Sequence, residues 1–190
     1  VEEEIRRVLP VVEEIAGRGG RVVSVDTVSY EVAARCLEAG ASILNDISGL
    51  QQEPRLVRLA ADAGAGLILM HMRGDPRTMQ SLTEYADLAG EIHRFFERQA
   101  AFARSGGVGA EQMVLDPGIG FSKTAEQNLF ILKHLDRIRL DGYPLLLGVS
   151  RKSFIGKITG AEAGGRLMGT AGAVAAAVLN GADIVRVHDI

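Results

Sequence analysis

Gly66-Leu-Ile-Leu-Met-His-Met-Arg73 decides the fold. The run Gly66–Met72 is short and almost continuously apolar, as expected of a strand buried on both faces of a parallel sheet. His71 and Arg73, side chains able to do chemistry, stand at its C-terminal end. The arrangement repeats along the chain. The apolar runs Arg21–Val25, Ala41–Leu44, Met113–Leu115, Pro144–Val149 and Asp183–Val187 close on Asp26-Thr27, Asn45-Asp46, Asp116, Ser150-Arg151-Lys152, and Arg186 with His188. Helix capping is the alternative for Thr27, Asp46 and Ser48, because Asp, Asn, Ser and Thr are preferred caps. It does not account for six strands in a row that end in groups able to converge on one rim. That pattern is the signature of a (β/α)8 barrel, whose site is built at the C-terminal face. A doubly wound sheet binds mainly at its switch point.

Stretches with helical spacing separate the runs: Val1–Ala16, Tyr30–Ala39, Pro54–Ala63, Leu82–Ala103, Thr124–Ile138 and Gly169–Leu179. Gly17, Gly40, Gly64, Gly106 and Gly181 follow helix ends, where a left-handed C-cap is expected. No linker divides the chain, so residues 1–190 read as a single domain of the α/β class with right-handed crossovers. Six strands are two short of a closed barrel. The expectation is a partial barrel that lacks upstream βα units and a C-terminal helix.

Composition narrows the function. The chain has 190 residues, a net charge of −3 and 47% hydrophobic residues, which excludes disorder and gives no electrostatic case for nucleic acid. The single cysteine, Cys36, rules out an intrachain disulfide. No apolar run reaches the ~18 residues of a membrane span. The expectation is a cytoplasmic protein with no nucleic-acid or membrane partner.

The chemistry-bearing segments are Ser24-Val-Asp-Thr27, Leu44-Asn-Asp-Ile-Ser-Gly49, Leu69-Met-His-Met-Arg-Gly74, Leu115-Asp-Pro-Gly-Ile-Gly-Phe121, Gly148-Val-Ser-Arg-Lys-Ser-Phe154 and Arg186-Val-His-Asp189. In this order and spacing they closely resemble the dihydropteroate synthase family, over essentially the whole chain. The segments at Gly148 and Arg186 are the most specific. Phe121-Ser-Lys-Thr124 departs from the commoner Phe-Gly-Lys form.

The resemblance implies condensation of 6-hydroxymethyl-7,8-dihydropterin diphosphate with 4-aminobenzoate, giving dihydropteroate and diphosphate. A pterin presents an amidine-like donor edge, which calls for a buried carboxylate and an amide. Asp116 and Asn45 match the family's positions for these. Met70 and Gly148 would admit the ring plane, with core packing the alternative for Met70. Lys152 would bridge a pterin oxygen and the aminobenzoate side. Asp26 would stabilise positive charge on the pterin methylene during C–O cleavage; its alternative is a helix cap, which Thr27 or Ser29 can supply instead. Asp26 and Lys152 are therefore the catalytic candidates. Arg186 and His188, two apart on the last strand, suit the diphosphate. Phe121 and Ser153 would form the aminobenzoate pocket, where sulfonamides compete. His71 reads as structural, and His93 and His134 as surface residues.

The family's magnesium is bound largely by the diphosphate, and its asparagine ligand has no counterpart in this chain, so no metal ligand is assigned. A homodimer is expected by resemblance. Two alternatives stay open: a methyltetrahydrofolate:corrinoid methyltransferase of the same barrel family, which has no use for the Arg-x-His pair, and a partial barrel that is not a catalyst.

Overall fold

A computed structural model describes residues 1–189; Ile190, the end of the expected domain, lies outside the described residues. The described residues form seven α-helices and six β-strands. They group into two compact units, Val1–Met70 with Arg98–Val114, and His71–Glu97 with Leu115 onward.

The first unit opens with α1, Glu2–Gly17, whose first turn carries Glu2, Glu3 and Glu4 at the positive end of the helix dipole. β1 (Ser24–Asp26), α2 (Tyr30–Glu38), β2 (Ile43–Asp46), α3 (Leu56–Ala63) and β3 (Gly66–Met70) follow. β1, β2 and β3 lie side by side with β4 (Met113–Asp116) next to β3, and both β1–β2 and β2–β3 pair in parallel. The register sets Asp26 beside Asn45. Val12, Val23, Val25, Val32, Cys36 and Ala41 make a core cluster, with Ile5, Val8 and Leu37 packed against it. Burial pushes the Cys36 thiol up.

The second unit holds most of the later elements: α5 (Ala125–Lys133), β5 (Leu146–Leu147), α6 (Ser153–Thr159), α7 (Leu167–Leu179) and β6 (Ile184–Val185). α4, Leu88–Ser105, has residues in both units, as does β4. β5 and β6 pair in parallel, Leu146 with Ile184 and Leu147 with Val185. One further parallel bridge joins Leu115 to Leu145.

All six expected strands form; β1, β3, β5 and β6 are shorter than their apolar runs, β2 is shifted two residues onward, and β4 extends to Asp116. The last strand is the clearest case. β6 ends at Val185, so Arg186 and His188 lie beyond the strand rather than on it. Helix boundaries differ as well, most in the fourth and fifth helices. The fourth helix starts at Leu88 rather than Leu82, because the preceding residues serve as a loop: Thr83 gives its carbonyl to Gln127 Nε2 (2.7 Å) and Tyr85 gives its hydroxyl to Ser122 O (3.0 Å). The fifth stops at Lys133, before a short 3-10 turn over Leu135–Arg137. Gly64 is the left-handed C-cap of α3 at φ 62°, whereas Gly17 and Gly106 are not left-handed; Gly19 and Gly107 take that conformation in their place.

Candidate active site

In the first unit, capping falls to residues other than Asp26. Ser29 Oγ accepts from Val32 N to start α2, and Thr27 Oγ1 accepts from Ser29 N at 3.1 Å. The Asp26 side chain accepts instead from its register neighbour, Asn45 Nδ2 to Asp26 Oδ2 at 3.0 Å. Asp26 is exposed, whereas Asn45 is buried, and Asn45 Oδ1 has no hydrogen-bond partner among the described residues. A buried acceptor without a donor costs about 1–3 kcal/mol. Such an atom suits a ligand that brings an N–H or O–H.

Asp46, next in the strand, does different work. Its two carboxylate oxygens accept from Ser48 N (2.7 Å) and Leu50 N (2.6 Å), closing a turn in which Leu50 is left-handed at φ 68°. Burial pushes its carboxyl up and those bonds pull it back. Met70 is fully buried at the end of β3, a core position.

In the second unit, Asp116 is buried at the end of β4. Its Oδ1 accepts from Gly118 N at 2.8 Å, and its Oδ2 from Arg186 Nη2 at 3.2 Å. Burial pushes the carboxyl up, opposed first by the Arg186 charge, then by the Gly118 N–H and by Lys152 and Lys123. Arg186 also covers Gly148. Its backbone N donates to Leu147 O at 3.0 Å, continuing the β5–β6 register, and a Cβ on Gly148 would stand 3.1 Å from Arg186 Nη2. The expectation that Gly148 leaves room for a planar group therefore meets a guanidinium in that room.

Lys152 precedes α6, with Nζ 4.1 Å from the Phe121 ring centre, a cation–π contact, and its methylenes against Gly120. Ser153 opens α6 and is exposed. His188 is exposed and takes a partner different from that of Arg186: its Nδ1 lies 2.9 Å from Ser150 Oγ. A charge pair between Arg151 and Asp189 joins the same two segments. The structure thus brings Asp116, Gly148 and Arg186 together, and separately Lys152 with Phe121. His93 and His134 are half-buried rather than on the surface. His93 Nδ1 lies 3.0 Å from Arg139 O, and the His134 ring packs 4.6 Å from that of Phe130.

The sequence reading missed Lys123, which is buried with its Nζ 3.0 Å from His71 Nδ1. It also missed the cluster over Tyr85, where the Arg73 guanidinium lies 3.8 Å from the ring centre and pairs with Glu91. The available signal was the Ser-Lys pair in the loop after β4, where a glycine is commoner in the first position.

The chain is similar to known proteins along essentially its whole length. Residues 1–188 match the model of a family described as pterin binding enzyme. The chain is 48% identical over its whole length to a dihydropteroate synthase of Synechocystis, of which it covers 66%, and 42% identical to that of Escherichia coli, of which it covers 67%. It therefore spans about two thirds of the length of these curated relatives. Among solved structures, dihydropteroate synthase of Thermus thermophilus in complex with 4-aminobenzoate is 46% identical, with a TM-score of 0.93 over 100% of this chain and 73% of that one. The same enzyme in complex with 6HMPPP is 45% identical, with a TM-score of 0.93 over 99% of this chain and 74% of that one. The Yersinia pestis enzyme with a sulfonamide drug complex is 39% identical, with a TM-score of 0.94 over 99% of this chain and 68% of that one. The fold class is accordingly α/β of the (β/α)8 barrel type, with six strands among the described residues.

Proposed function

Since the chain belongs to the pterin binding enzyme family, we propose that the protein of which residues 1–190 form a pterin-binding barrel domain is a dihydropteroate synthase. The observation that carries this reading is the Asp116–Arg186 pair over Gly148. A buried carboxylate suits the donor edge of a pterin, and a guanidinium suits a diphosphate. The substrate has both groups. A methyltransferase of the same barrel class has no need for the second.

In this reading, the amino nitrogen of 4-aminobenzoate forms a bond to the pterin methylene carbon. The bond from that carbon to the diphosphate oxygen breaks, its electron pair leaves with the diphosphate, and the nitrogen sheds a proton. Asp116 and Asn45 hold the pterin edge, with the free Asn45 Oδ1 accepting from it. Met70 and Gly148 border the ring plane. Asp26, oriented by Asn45, offers negative charge to the methylene as the C–O bond lengthens. Lys152 bridges a pterin oxygen and the aminobenzoate ring, which Phe121 and Ser153 receive. Arg186 and His188 hold the departing diphosphate. Sulfonamides compete for the aminobenzoate seat.

The described residues contain no group of three or more His, Cys, Asp or Glu that could hold a metal ion. Magnesium would enter as the counter-ion of the diphosphate, and no step is routed through it. We also propose a homodimer, supported by α7, which leaves Met168 and Leu179 80% and 86% exposed. No described helix is long and apolar enough to cross a membrane, in keeping with a cytoplasmic enzyme. The test is diphosphate release from pterin diphosphate, with and without 4-aminobenzoate. Release that depends on aminobenzoate and falls in Arg186→Ala supports the reading. Methyl transfer from methyltetrahydrofolate in its place would overturn it.

A further inference from the structure

The strongest group that the proposed reaction leaves unused is Lys123. The residue is 4% exposed, and two carbonyl oxygens and an imidazole nitrogen converge on its amine: Phe121 O at 3.0 Å, His71 O at 3.3 Å and His71 Nδ1 at 3.0 Å. Burying a lysine is expensive, and an apolar side chain would fill the same space at less cost. The amine sits inside the loop that runs from Asp116 to Lys123. That loop is tight: Gly118 N bonds Asp116 Oδ1, Phe121 N donates to Gly118 O at 3.0 Å, and Gly120 N donates to Asn128 Oδ1 at 2.8 Å. A Cβ on Gly118 would fall 2.1 Å from His71 O and 3.4 Å from Lys123 Nζ, so the His71 carbonyl and the amine press directly on the loop.

The neighbouring residue reinforces the tie. Ser122 is left-handed at φ 50°, and its Oγ accepts from Arg73 N at 3.1 Å while Tyr85 Oη donates to Ser122 O. Two segments far apart in sequence are thereby locked, the one following β3 and the one following β4. Burial lowers the Lys123 pKa to about 7, helped by the charges of Arg73 and Lys152 and opposed by that of Asp116. Either form of the amine still has hydrogens for the two carbonyl oxygens.

We propose that Lys123 is a positioning residue: from inside the loop it fixes the backbone that presents Asp116 and Phe121, and with them the seats of the pterin edge and the aminobenzoate ring. The proposal rests on the synthase reading for what those seats receive, but the placing of the loop does not depend on it. Asp116 keeps two anchors of its own, in Gly118 N and Arg186, whereas the Phe121 carbonyl is held by Lys123 Nζ and by Ser122 Oγ of the same loop, at 2.7 Å. The loss should therefore fall more heavily on aminobenzoate than on the pterin.

The experiment compares wild type, Lys123→Met and Lys123→Gln in the full chain. Two readouts are taken: amide hydrogen exchange at Gly118 and Phe121, and KM for each substrate against kcat. The expected result for Lys123→Met is exchange at least tenfold faster at Phe121, and a KM for 4-aminobenzoate raised at least fivefold with a smaller change for pterin diphosphate. Lys123→Gln, whose amide still donates, should fall between. If Lys123→Met does not fold, the Gln variant is read against the same outcomes. Unchanged exchange at both amides in a folded variant, or a uniform loss of kcat with both KM values intact, would overturn the proposal. A wild type that releases no diphosphate refutes the synthase reading alone, and the exchange comparison then decides the role of Lys123 by itself.

Discussion

The loop after β4 and the loop after β5 use one backbone device to different ends. In each, a residue with a side chain takes a left-handed conformation, Ser122 at φ 50° and Arg151 at φ 58°, and a lysine follows. Such a conformation costs a non-glycine residue roughly 1–2 kcal/mol, and both sites offset it with bonds. Ser122 Oγ takes the Arg73 amide. Arg151 gives its amide to Thr170 Oγ1 at 3.0 Å, receives Arg166 Nη1 on its carbonyl at 2.9 Å and pairs with Asp189. The lysines then part. Lys123 finds two carbonyls and an imidazole nitrogen and is sealed in, whereas Lys152 is half-buried on the face of Phe121. The turn aims the side chain, and the acceptors supplied around it decide whether it becomes part of the frame or stays within reach of a ligand.

Stability against pH should report the sealed lysine most strongly. In the fold, Lys123 releases its proton near pH 7, against 10.5 for an ordinary lysine. Between those values the unfolded chain binds the proton and the folded chain does not, so stability rises with pH across that window. Below about pH 7 the cost of the buried ammonium is present in full. Denaturant unfolding from pH 6 to pH 10 should show a rise on the order of several kcal/mol from this group, at about 1.4 kcal/mol per pKa unit. Lys123→Met should flatten it. A rise of undiminished size in Lys123→Met would break the comparison.

The carboxylate between the loops comes next. Asp116→Asn removes a charge-assisted bond worth about 1.5–3 kcal/mol, so binding of a pterin analogue should weaken by roughly tenfold to a hundredfold with the fold intact. Titration calorimetry measures it. Lys152→Met should lower kcat/KM for diphosphate release by roughly tenfold while leaving amide exchange at Phe121 unchanged, whereas Lys123→Met speeds that exchange.

Glycine at the left-handed positions gives the smallest effect and the sharpest test of the bonds. Arg151→Gly relieves strain and loses only a solvent-exposed ion pair. Ser122→Gly relieves similar strain but loses the hydroxyl that holds Arg73 N. It should be the less stable of the two by roughly 1 kcal/mol in urea unfolding. Glycine is the commoner residue at this position in the family the segment resembles, so a more stable Ser122→Gly would mean that the hydroxyl bonds do not offset the strain.

The strands were legible because burial on both faces leaves a continuous apolar run, and Gly66–Met72 could hardly be anything else. Their lengths were not. A ladder needs a partner in register, and the run Pro144–Val149 pairs with β6 only at Leu146 and Leu147, with one isolated bridge from Leu145 to Leu115. The Asp26–Asn45 contact was half legible: both residue types were singled out, but their hydrogen bond comes from the register between strands. Arg186 was marked for an anion, and the anion it meets in the protein is Asp116, which is 70 residues away in sequence. Lys123 was illegible for a similar reason. A lysine in a polar loop reads as solvated, and what buries this one is His71, 52 residues distant.

The Asp116–Arg186 pair also bears on which molecules the second unit can accept. A guanidinium that already holds a buried carboxylate gives it up without loss only when the carboxylate is offered another partner in exchange. A visitor with a donor edge alone leaves Arg186, whose side chain is 43% exposed, to water at little cost. An anion alone draws Arg186 away and strands the buried carboxylate. A molecule carrying both features satisfies both partners, so the pair weighs against a bare anion more than against a bare donor edge.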